Sequence, residues 1–156
     1  MTNYSPDVRA PGRQTCRRSE SGSAFIELGL MFPMLLLILV GAIDFARVFF
    51  ADIALTNAAE VGAMYGARSV TGSSNLTSMQ NAAVADAVDL TGVTATATQY
   101  CQCGNGTAHS CPVTCSGTTA HTFVSVSATY TFTPAIPFPG LPSSIPMTRT
   151  AVMRVQ

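Results

Sequence analysis

Residues 28–43, LGLMFPMLLLILVGAI, carry no charged or strongly polar side chain, and no other feature limits what this chain can fold into as much. Counted from Ala24, the run reaches 20 residues, interrupted only by Glu27. A helix needs roughly 20 residues to cross ~30 Å of hydrocarbon. A helix that is apolar on every side must be surrounded by protein or by lipid. In a chain of 156 residues the remainder is too small to wrap it, so a membrane span is the stronger reading and a buried core helix the weaker. A secretory signal peptide would have a shorter apolar core, about 7–15 residues, and a small-residue cleavage site after it. Here the run is longer and is followed by DFARVFFADIAL, which is bulky and amphipathic. Pro33 lies inside the run, where it frees one backbone carbonyl and bends the axis, as membrane helices tolerate.

The charges are sparse and uneven. Only 10% of residues are charged and 47% are hydrophobic, which suits a chain that partly faces lipid. There is no Lys, and all eight bases are Arg. Arg9, Arg13, Arg17 and Arg18 outweigh Asp7 and Glu20, leaving residues 1–22 at net +2 and the rest at net −2. Basic residues ahead of an apolar segment stay in the cytoplasm. The expected arrangement is a single-pass protein of a bacterial inner membrane, N-terminus inside, C-terminal domain extracytoplasmic. The formal net charge is zero, so there is no polybasic case for nucleic acid.

Glu27 is the informative exception within the run. A charge deep in a bilayer costs about 2.5–3.5 kcal/mol even on lenient insertion scales, so it normally has a partner or a task. The plainer alternative places Glu27 at headgroup level, where it costs little.

The helical pattern continues past the span. Ile43, Ala46, Phe50, Ile53, Leu55, Ala58, Val61 and Met64 recur at mostly three-residue intervals. One helix from about 24 to 67 would be ~66 Å long. Asp44 and Arg47 fall on one face and can pair. Ala58, Gly62 and Gly66 make a small-residue ridge that another helix could approach closely, or that packs on the protein's own domain. Residues 69–78, rich in Ser, Thr, Gly and Asn, read as a loop. Leu76 to Leu90 suggest a short second helix ending near Gly92.

From Val93 the pattern turns to alternation. Val93, Ala95 and Ala97 share one face. So do Val124, Val126, Ala128, Tyr130 and Phe132, and then Met147, Ala151, Met153 and Val155. The connection PAIPFPGLPSSIP has five prolines and cannot form a central strand. A small antiparallel sheet with a helix over its apolar face is expected.

Cys101, Cys103, Cys111 and Cys115 lie between two strands as C-x-C-x7-C-x3-C. An even set in an oxidising compartment suggests disulfides, with three possible connectivities. Cys101 and Cys103 flank one residue, so each is expected to bond into the 111–115 pair and staple loop 101–115. A zinc site with His109 is the alternative, but C-x-C is a poor fit to metal spacing. Cys16 lies in the basic leader. His109 and His121 sit in polar sequence and are expected to be exposed. No catalytic motif, phosphate loop or H-E-x-x-H occurs, so no enzyme, cofactor or small-molecule substrate is expected. Asn75-Leu76-Thr77 and Asn105-Gly106-Thr107 match a glycosylation sequon, a pattern that is frequent by chance.

Two blocks, GSAFIELGLMFPMLLLILVGAIDFARVFF and ADIALTNAAEVGAMYGARS, resemble the TadE-like family of pilus-assembly proteins. Glu27, Pro33, Asp44, Phe45, Arg47, Ala58, Ala59, Gly62, Ala63 and Tyr65 match its pattern, within residues 20–68. The resemblance implies a leader, residues 1–22, cut between Gly22 and Ser23 by a prepilin peptidase, with Glu27 as fifth residue of the mature chain. Leu28 departs from the Tyr or Phe that usually follows that Glu. A Ser23 amine is charged near neutral pH and attracts a carboxylate strongly in low dielectric. Glu27 could pair with the Ser23 amine of its own or a neighbouring subunit, each charge offsetting part of the other's desolvation.

The expected fold is therefore α+β and pilin-like. Residues 23–67 form a transmembrane helix that continues into a stalk. Residues 68–156 form a small extracytoplasmic domain built on an antiparallel sheet. The implied function is a non-catalytic minor pilin or pseudopilin of a Flp/Tad-type pilus or related secretion apparatus in adherence. Its implied partners are other pilins, the inner-membrane assembly platform and the prepilin peptidase. The alternative is a membrane-tethered binding module that does not enter a filament.

Overall fold

A computed structural model of the chain describes residues 21–104, 106–136, 140 and 142–156. The basic leader up to residue 20 with its Cys16, the sequon Asn105, and Pro137 and Pro139 of the proline-rich connection lie outside the described residues. The elements are α1 (Ser21–Ala67), α2 (Val70–Ser74), α3 (Leu76–Asp86), β1 (Thr94–Gln102), β2 (Ala108–His109), β3 (His121–Phe132) and β4 (Ile145–Arg154). The chain divides into two compact units at residues 38 and 39. The α+β class read from the pattern is the observed one: a long apolar helix, then a small antiparallel sheet.

In the first unit, residues 22–38 are helical and exposed throughout, with Phe25, Ile26, Leu30, Met34 and Leu37 bare of protein neighbours. Pro33 sits within α1 without ending it. Length and composition make α1 the one helix among the described residues able to cross a membrane.

In the second unit, the sheet has strand order β2-β1-β3-β4 and is antiparallel at every pairing. The alternation read from the sequence sets the faces: Val124, Val126, Ala128 and Phe132 are buried, as are Ala97, Met147 and Val155. The opposite face carries hydroxyls. Ser127 and Thr150 bond across the strands at 2.7 Å, and Thr129 and Thr148 at 3.2 Å. β2 is a two-residue strand that alternation had not indicated. Pro146, fifth of the connection's prolines, is the second residue of β4, which is an edge strand, where a missing N–H is tolerated.

Two apolar clusters lie between helices and sheet. One joins Ala51, Leu55, Ala58 and Ala59 of α1 to Ala128, Phe132 and Met147. The other joins Ala63 of α1 and Met79 and Ala83 of α3 to Ala97, Val124, Val126 and Val155. Small residues on the buried stripe of α1 let helix and sheet approach closely. Leu55 is the large residue of the periodic pattern that joins the core; Phe50, Ile53, Val61 and Met64 face outward.

Residues 69–78 correct the expected loop. Ser69 Oγ accepts from the Gly72 N–H at 3.0 Å and caps α2; Asn75 Oδ1 accepts from the Ser78 N–H at 3.1 Å and caps α3. The polar residues that read as loop are two successive helix caps. α3 stops at Asp86, earlier than Gly92, and the chain turns into β1 at Gly92 with φ +86°, a conformation suited to glycine.

Candidate functional site

Gly22 and Ser23 lie in the first turn of α1 and Glu27 one turn later, all within a continuous helix. Ser23 and Glu27 are exposed, and among the described residues nothing pairs with Glu27.

Asp44, the first residue beyond the apolar run, is buried. Arg47 Nη1 donates to its Oδ1 at 2.8 Å, the i,i+3 pair expected on one helix face. Its two oxygens also accept from the Ala135 N–H at 3.2 and 3.1 Å. That N–H holds the Asp44 carboxyl below its usual range; burial opposes the shift and Arg47 reinforces it. The Arg47 guanidinium lies 5.2 Å from the Phe132 ring centroid, a cation–π distance. Asp44 and Arg47 thus fasten the end of β3 and the start of the β3–β4 connection to the helix. The sequence signalled the pair but not its long-range partners, Ala135, 91 positions from Asp44, and Phe132.

The ridge of Ala58, Gly62 and Gly66 faces the protein's own core. Ala58 is fully buried. A Cβ built at Gly62 would meet Ala83 Cβ, the Met79 carbonyl and Val126 Cγ1, each at 2.9 Å; one at Gly66 would meet the Met79 side chain. Of the two roles read for the ridge, approach by another helix or packing on the protein's own domain, the structure shows the second, against α3 and β3.

The outward stripe of α1 is available instead. Phe45 (74% exposed), Phe49 (60%), Phe50 and Ile53 continue the apolar surface past Asp44; Asn57 and Glu60 interrupt it before Val61, Met64 and Tyr65. Monomeric proteins seldom leave so contiguous an apolar stripe bare without an interaction to make. Asp52, on the flank of the helix, pairs with Arg149 of β4.

The cysteines are joined Cys101–Cys111 and Cys103–Cys115, with Cα separations of 5.2 and 5.7 Å. One of the three connectivities is therefore selected, and the sulfurs are committed to disulfides rather than a zinc set. Among the described residues no group of three or more His, Cys, Asp or Glu side chains could hold a metal ion. His109 is exposed on β2; His121 Nδ1 lies 2.9 Å from Arg154 Nη2.

These features define a class: a chain whose described residues hold one helix able to span a membrane and a disulfide-stapled α+β unit. Within it, residues 22–64 match the profile of the family described as TadE-like protein. The match begins at Gly22, covers the apolar run, the Asp44–Arg47 pair and Ala58 and Gly62 of the small-residue ridge, and ends at residue 64, short of Gly66. The match is confined to α1; the sheet and the cysteine loop lie outside it. No curated protein and no solved structure matches the chain.

Proposed function

We propose that this protein is a non-catalytic minor pilin or pseudopilin that assembles through α1 into a Flp/Tad-type pilus or related secretion apparatus. The observation that carries the reading is the TadE-like match over residues 22–64. It coincides with a helix that carries both the apolar run and the exposed Phe45, Phe49 and Ile53. In this reading the helix is held in the inner membrane with the C-terminal unit outside, and a prepilin peptidase cuts between Gly22 and Ser23. Glu27 then pairs with a Ser23 amine, a contact worth making only in low dielectric, where both charges need a partner. Major and sibling minor pilins cover the outward stripe, and the assembly platform receives the helix. No cofactor or substrate takes part. Glu27→Gln keeps the shape and removes the charge. It is expected to abolish pilus formation and co-isolation with other pilins while leaving membrane insertion intact; normal piliation in this variant would end the proposal.

A further inference from the structure

β4 is an edge strand, and its outer side carries open backbone groups. The Val155 N–H donates to the Thr122 carbonyl at 2.8 Å. With the antiparallel register, this bond sets the phase of the ladder: Met147, Arg149, Ala151, Met153 and Val155 direct their N–H and C=O groups toward β3. Thr148, Thr150, Val152 and Arg154 therefore direct theirs to the free edge. Both ends of that edge are closed. Pro146 has no N–H, and the Gln156 N–H donates to the Ala67 carbonyl at the end of α1, at 3.2 Å. Arg149 Nη1 covers the Thr148 carbonyl at 3.1 Å. Between these stops the edge offers a short, bounded row of donors and acceptors.

Two grooves, of about 250 and 360 Å³, follow this edge between β4 and α1. Glu60 contributes to the first, and Met64 and Arg68 to the second. Glu60 and Met64, four residues apart, share one stripe of α1, and Arg68 follows in the turn directly after the helix. All are exposed, and neither Glu60 nor Arg68 has a hydrogen bond or ion pair among the described residues. Glu60 and Met64 are about 6 Å apart along the helix, and positions i and i+2 of a strand, which share a face, are about 7 Å apart.

We infer that the free edge of β4 is a β-augmentation site for an extended segment of a different polypeptide. The segment's inward residues would be basic, apolar and acidic at i, i+2 and i+4, facing Glu60, Met64 and Arg68. The backbone ladder supplies affinity and the alternating side chains supply selectivity. A second copy fits poorly. β4 runs in the same sense as α1, since Met147 packs with Ala51 and Val155 with Ala63. Antiparallel β4–β4 pairing would then set the 51–63 stretches of two α1 helices in opposite directions. Nor do the inward residues of β4, Met147 to Val155, follow the required charge order. This inference goes beyond the assembly reading, because the edge and the outward stripe of α1 are separate surfaces and either can fail alone.

The test uses the full chain in detergent micelles. The probes are labelled Thr-Lys-Thr-Val-Thr-Glu-Thr, its versions with Lys or Glu at both charged positions, and an N-methylated version. The mixed-charge peptide is expected to bind best, to slow hydrogen exchange at the Thr150 and Val152 amides, and to lose binding on N-methylation. Thr150→Pro and Val152→Pro each remove one edge N–H and are expected to weaken binding roughly tenfold. Glu60→Lys is expected to shift preference to the peptide with two Glu residues, a readout that survives if a proline variant misfolds. Unchanged exchange at Thr150 and Val152 with saturating peptide would overturn the inference. So would indifference to all three substitutions, or a self-associated dimer pairing through β4.

Discussion

The small-residue ridge of α1 can be tested by asking which partner it serves. Gly62→Ala adds one methyl group at a point 2.9 Å from Ala83 Cβ, the Met79 carbonyl and Val126 Cγ1. Two of these obstacles, a Cβ and a backbone oxygen, cannot rotate away. Overpacking a filled core costs about 1–3 kcal/mol, and the rigidity of these neighbours places this site in the upper half of that range. Replacing Gly by Ala in a helix interior recovers about 1 kcal/mol. The expected net loss is about 1–2 kcal/mol, or roughly 4–8 °C in Tm for a unit of this size. Thermal unfolding of the full chain in detergent, followed by far-UV circular dichroism, reads it directly. Gly66→Ala should cost less, because the nearest atom there is the end of the Met79 side chain, which has rotamers to change. If Gly62→Ala left Tm unchanged or raised it while weakening association between subunits, the ridge would belong to an intermolecular contact and the packing argument would be wrong.

Two further outcomes follow from the same unit. Asp44→Ala should free the β3–β4 connection, seen as faster hydrogen exchange at the Ala135 amide. Because the Asp44 pKa is lowered by that contact, its stabilisation is present above the ordinary carboxylate range and is lost as pH falls through the depressed value. Wild-type Ala135 should thus stay protected at pH 5 and open only in stronger acid. Each disulfide closes a short loop, with separations of 10 and 12 residues. Removing either pair by Cys→Ser should cost about 2–3 kcal/mol, read as a lower denaturation midpoint, with the loss concentrated in residues 101–115.

Much of this architecture was legible in the order of residues. The apolar run and its continuation specified α1, and period-two alternation assigned the faces of β1, β3 and β4. What escaped was which stripe of α1 is buried. Of the periodic pattern, Leu55 and Ala58 take the core, joined by Ala51 and Ala63 from outside it, while Phe50, Ile53 and Met64 stay exposed. Small residues bury less area but permit closer approach, and single-helix periodicity cannot show what a sheet will accept. α2 was missed because Ser69 and Asn75 serve equally well as loop residues and as helix caps. The Asp44 contact with Ala135 was invisible because a backbone N–H has no sequence signature. For the candidate site, Glu27 was noticed as a charge out of place, and the family match over residues 22–64 gives that observation its context. The free edge of β4 needed the ladder's phase, which only coordinates supply.

The central claim is that α1 begins at a processed end and works as an assembly helix. Intact-mass and N-terminal sequencing of the protein isolated from its own membrane addresses it most directly. The account predicts a mature chain beginning at Ser23, with Glu27 as its fifth residue. A chain that retains residues 1–22, Cys16 included, would contradict it and would leave a membrane-tethered module in place of a pilin.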